Sequence, residues 1–137
     1  MRTAHLLATA LTFALAHVLR AQTVSQVWVT RYDSPAHLSD EAKAVVVDGS
    51  GNVIVTGTSD AGWSPFAGGI GLNIYTAKYA AADGALLWYQ VYASGINDYV
   101  NAAAVDAAGN MIITGRSDNY AGTYSGRYTA KYAAALT

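Results

Sequence analysis

The chain has no cysteine. That absence excludes a disulfide framework, a thiolate metal site, a cysteine nucleophile and a lipid-modified N-terminal cysteine. Charge is equally sparse, at 12% of residues with a net of −1, which fits neither a nucleic-acid footprint nor a disordered acidic tail. Only one glutamate, Glu41, is present, and beyond residue 21 the sole histidine is His37. General acid–base chemistry therefore has few residues to draw on. Helical periodicity is missing from everything after residue 21, and no apolar run is long enough to read as a membrane-spanning helix.

The longest apolar run, Leu6–Leu19, covers about 14 residues where a span needs about 20, and it contains His17. Arg2 precedes it and the small Ala21 follows, so residues 1–21 read as a secretory signal peptide. Ala14-Leu15-Ala16 offers an earlier cleavage point, and a retained N-terminal anchor is the alternative. Without residues 1–21, six basic side chains face nine acidic ones, a net charge of −3. The expected product is secreted, periplasmic or held at the cell surface, with no membrane span after cleavage and no nucleic-acid partner.

What the sequence does have is an internal repeat. Ala44–Asp60 (AVVVDGSGNVIVTGTSD) returns as Ala102–Asp118 (AAAVDAAGNMIITGRSD), 58 residues on. Tyr75–Ala81 (YTAKYAA) returns at Tyr128–Ala134, and Trp28 and Tyr32 correspond to Trp88 and Tyr92. Runs of β-branched and aromatic residues between turn signals predict four strands per unit. Strand A spans Ala42–Asp48, B Val53–Gly57, C Ile74–Ala80 and D Leu86–Tyr92; the second copy gives Val100–Asp106, Met111–Gly115 and Arg127–Ala133. A lone strand at Val27–Tyr32 completes the order D-A-B-C-D-A-B-C.

These features predict an all-β fold of antiparallel four-stranded propeller blades, an incomplete propeller of two permuted repeat units within residues 22–137. The units span about 27–92 and 86–134 and share the strand at 86–92. The motifs W-x-x-x-Y, VD-x-x-GN-x-x-x-TG-x-S and YTAKY-x-x-x-x-G resemble the SBBP-type β-propeller repeat of exported bacterial proteins, over Val27–Ala133. The resemblance implies a propeller fold and export, and it implies no catalytic site. Two units leave the stack unfinished, so self-association is expected, with Val27–Tyr32 pairing against strand C of a neighbour and roughly three or four copies closing a ring.

The candidate sites are weak ones. The D-x-x-G-N steps at Asp48–Asn52 and Asp106–Asn110 resemble the start of a calcium loop, yet apolar strand follows where further ligands belong, so they read as hairpin turns. Ser34, His37 and Asp40 are close in sequence, but one loop seldom holds a catalytic triad. Asp40 with Asp98, and Lys78 with Lys131, recur between units and read as repeated scaffolding.

Loops D–A (Asp33–Glu41, Ala93–Tyr99) and B–C (Thr58–Asn73, Arg116–Gly126) fall at one end of the sheets. Their aromatics, Trp63, Phe66, Tyr120 and Tyr124, are the candidate contacts for a protein or glycan ligand, or else a cover over the sheet ends. The leading expectation is a non-catalytic binding or scaffold module without a cofactor. The alternatives are a polysaccharide-acting propeller enzyme and a fragment of a longer repeat protein.

Overall fold

A computed structural model of the chain describes residues 23–64, 69–94, 96–118 and 125–133. The predicted signal segment 1–21 lies outside them. Among the described residues seven strands follow one another: β1 Asp40–Val47, β2 Val53–Ser64, β3 Gly69–Tyr79, β4 Leu86–Tyr92, β5 Asp98–Val105, β6 Met111–Asp118 and β7 Ser125–Tyr132. They make two antiparallel sheets, β1-β2-β3-β4 and β5-β6-β7, in which every ladder joins strands adjacent in sequence.

The turns are built by the residues the sequence singles out. Asp48 Oδ1 accepts from the backbone N–H groups of Ser50 and Asn52, both at 2.9 Å, and Gly51 takes φ = 81°. Asp106 repeats this with Ala108 and Asn110 at 3.0 and 2.9 Å, and Gly109 takes φ = 80°. Positive φ carries no steric penalty at glycine, which is why both hairpins turn there. Each first ladder then contains the same register shift, between Ala42 and Ala44 in β1 and between Val100 and Ala102 in β5. The bulged strand presses its backbone against Gly57 in one sheet and Gly115 in the other.

The core lies between the sheets. Ile54 and Ile74 of the first meet Val100, Met111 and Ile113 of the second, with Trp88, Tyr92, Tyr128 and Tyr132 packed around them. Each fully buried aliphatic side chain contributes roughly 2 kcal/mol by leaving water. Alternation along β3 sends Ile74 toward this core, whereas Tyr75 and Tyr79 face the opposite side of the first sheet.

Two sequence expectations need correction. Strand B does not stop at Gly57, and most of the expected loop Thr58–Asn73 is ladder: Thr58 pairs with Ile74, Ser59 with Asn73, Asp60 with Leu72 and, past a register shift, Trp63 with Ile70. The apolar cues end at Gly57, but backbone groups pair regardless of side-chain polarity. A covering loop makes the polar extension tenable: Ser34 Oγ donates to Asp60 O at 3.1 Å and Asp60 N donates to Ser39 O at 3.0 Å. In the second sheet β6 likewise runs on to Asp118.

The other correction concerns Val27–Tyr32, which joins no sheet, so the eight-strand order becomes seven strands divided four and three. The segment lies on the outer face of the first sheet. Trp28 Nε1 donates to Ala81 O at 3.0 Å, the Trp28 ring is 6.4 Å from that of Tyr79, and Tyr32 stacks on Tyr75 at 3.7 Å. Aromatic contacts hold it on a face, away from any strand edge.

Candidate functional site

The repeated acids and lysines are consumed in scaffolding. Lys78 Nζ meets Asp48 Oδ2 at 2.7 Å, and Asn52 Nδ2 donates to the same oxygen at 3.1 Å. Burial pushes the Asp48 carboxyl up, but hydrogen bonds from Lys78, Asn52 and Ser50 outweigh it and hold the group down at about 2. Lys131 and Asp106 make the equivalent pair, also at 2.7 Å, and there the lysine hydrogen bond leads in lowering the carboxyl. The setting differs: the Lys78 and Asp48 side chains are 12% and 5% exposed, against 56% and 28% for Lys131 and Asp106. The Thr56–Thr76 hydroxyl pair is buried, and its counterpart, Thr114–Thr129, is exposed.

At the other end of the sheets, Asp40 Oδ2 accepts from Ser34 N at 2.8 Å and Asp98 Oδ2 from Ser94 N at 2.7 Å. Their Oδ1 atoms are buried without a hydrogen-bond partner among the described residues. Ser34, His37 and Asp40 do not assemble as a triad. Ser34 Oγ is bound to Asp60 O, while His37 Nδ1 is 2.6 Å from Asp33 Oδ2 in an exposed pair, with its backbone at φ = 52°. Arg116 reaches Asp118 at 3.1 Å and caps the Tyr99 ring at 4.4 Å, which fixes it against its own sheet. Among the described residues no group of three or more His, Cys, Asp or Glu could hold a metal ion.

Of the predicted contact aromatics, Trp63 lies in β2 with its backbone opposite Ile70. Phe66, Tyr120 and Tyr124 lie outside the described residues. Sequence reasoning missed a different aromatic surface. A cleft between Val27–Tyr32 and the first sheet is lined by Thr30, Tyr32, Asp40, Glu41, Tyr75 and Tyr79. Burial pushes the Tyr75 phenol up to about 12. The signal was present: W-x-x-x-Y and Y-x-x-x-Y each recur, and such spacing in extended chain puts both rings on one face.

A second cleft, between the sheets at the turn end, is lined by Asp48, Asn52, Lys78, Trp88, Ala108 and Gly109. Its charged groups are already paired with one another. Compared with family models, curated proteins and solved structures, the chain finds no match in any of the three.

Proposed function

We propose that this chain is an exported, non-catalytic module of β-propeller blades of the SBBP-type repeat it resembles, serving to bind or scaffold through the loop end of its sheets. The observation that carries this reading is the fate of the chemistry-bearing residues. Asp48, Asp106, Lys78 and Lys131 are tied into turns and strands, while Ser34 Oγ is bound to Asp60 O, His37 to Asp33, and Asp40 to the Ser34 backbone N–H rather than to His37. A four-stranded antiparallel meander stacked face to face on a second sheet with matching turns and bulges supports the blade reading. The rigid ladders would present Trp63, Phe66, Tyr120 and Tyr124 at one end, where aromatic rings stack on sugars or anchor a protein partner.

The test is retention of the purified protein on a panel of insoluble polysaccharides, with Trp63→Ala and Tyr120→Ala beside the unmodified chain. The expected result is retention that either substitution weakens about tenfold, one lost aromatic anchor being worth on the order of 1–2 kcal/mol, with circular dichroism unchanged. Release of reducing sugar during incubation would replace this reading with an enzymatic one. Retention that neither substitution alters would remove the loop aromatics from it.

A further inference from the structure

The contacts of Val27–Tyr32 repeat those of β4. In β4, Trp88 and Tyr92 leave the first sheet to pack on the second, Tyr92 lying 4.0 Å from Tyr128. Trp28 and Tyr32 occupy the matching positions of the repeat, and they pack on Tyr79 and Tyr75 of the first sheet, the counterparts of Tyr132 and Tyr128. The segment therefore takes the place of the outer strand of a sheet stacked on the free face of the first one, and no other strand of such a sheet lies among the described residues. Conversely, among the described residues the second sheet has three strands where the first has four, and the outer edge of β7 has no pairing strand.

The two open faces are those that a shared interface would bury. The free face of the second sheet bears Thr114, Thr129 and Lys131, whose counterparts Thr56, Thr76 and Lys78 are buried between the sheets. The free face of the first sheet leaves Val45 63% and Val47 59% exposed, whereas their counterparts Ala103 and Val105 pack against the core. The partner that fits both faces is a second copy of this chain.

We propose that Val27–Tyr32 pairs with β7 of a neighbouring copy, completing its second sheet and joining copies head to tail. The β3–β4 ladder, in which Lys78 faces Trp88, Ala77 faces Tyr89 and Ile74 faces Tyr92, supplies the register. Transferred through the repeat, Trp28 lies opposite Lys131, Val29 opposite Ala130 and Tyr32 opposite Arg127 of the neighbour. The contact is between chains. Val27–Tyr32 lies on the Tyr75 face of the first sheet and β7 belongs to the sheet on its Ile74 face, so a whole sheet separates them within one molecule. The inference holds whatever ligand the loop end takes.

The chain has no thiol of its own, so single cysteines report the pairing directly. Val29→Cys and Ala130→Cys proteins are mixed, oxidised and run on a non-reducing gel. A band of twice the chain mass is expected in the mixture, and it is lost when Ala130→Cys is replaced by Lys131→Cys, whose side chain points to the other face. Deleting residues 22–33 abolishes assembly in light scattering, and adding that segment as a peptide restores it. Free thiols throughout the mixture, an equal yield from the off-register pair, or a monomer at every concentration of the full chain overturns the proposal. A deleted chain that fails to fold leaves the cysteine mixture to decide, because both of its partners retain every native strand.

Discussion

Gly57→Ala and Gly115→Ala will each destabilise the fold by about 3 kcal/mol or more, the range of a forced backbone displacement, and unfold it at correspondingly lower urea. A methyl on Gly57 would sit 2.0 Å from Glu41 O and 2.9 Å from the Ala42 Cα; on Gly115 it would sit 1.8 Å from Tyr99 O. These obstacles are main chain, held in place by the bulged ladder, so no side-chain rotation relieves the clash. Gly126→Ala is the control in the same sheet. Its methyl would meet nothing closer than Ser117 O at 3.7 Å, and the substitution should be neutral or stabilise by under about 1 kcal/mol. Urea midpoints of the three variants give the order, and a Gly57 or Gly115 midpoint equal to that of Gly126→Ala would refute the close-approach argument.

The second large effect is a difference between two copies of one interaction. Asp48→Ala strands the Lys78 ammonium where it is 12% exposed, and leaving a buried charge without its partner costs about 3 kcal/mol. Asp106→Ala removes the same turn bonds but releases Lys131 to solvent, so its loss is smaller for separated chains. In the proposed head-to-tail assembly, raising the protein concentration should narrow that gap by covering the Lys131 face. Acid acts on the same group. The folded-state carboxyl of Asp48 titrates at about 2 against an ordinary 3.8, so its contribution is complete above pH 3.8 and lost as pH falls through about 2. Urea titrations at pH 7 and at pH 2.5 should show Asp48→Ala losing less on acidification than the unmodified chain.

The parts legible in the sequence are those that depend on neighbours along the chain. Asp48 and Gly51 announce a hairpin because its hydrogen bonds reach only from Asp48 to Asn52. β4 was read with its observed bounds because Leu86–Tyr92 lies between turn residues. Gly57 was noticed as a repeated glycine, but its reason, a carbonyl pressed in from β1, belongs to the bulge and leaves no mark in the local pattern. The extension of β2 through Asp60 was missed because the loop from Ser34 to Ser39 that covers it lies about 20 residues earlier. Val27–Tyr32 has the composition of a strand and the contacts of one face of a strand, and among the described residues it has no pairing strand. At the loop end, Trp63 was legible as a candidate by position only, since it continues a ladder that the sequence reading had ended at Gly57.

Because each ladder joins consecutive strands, the search for native pairing within the chain is short-range. Hairpins of this kind zip without the long loop closures that slow most all-β proteins. In the proposed assembly the exception is the strand supplied by another molecule, where closure entropy is replaced by encounter frequency. Under that proposal assembly divides into a unimolecular stage, the growth of two meanders and their docking, and a bimolecular stage set by abundance. In that assembly, lower abundance lengthens the time for which the edge of β7 stays open.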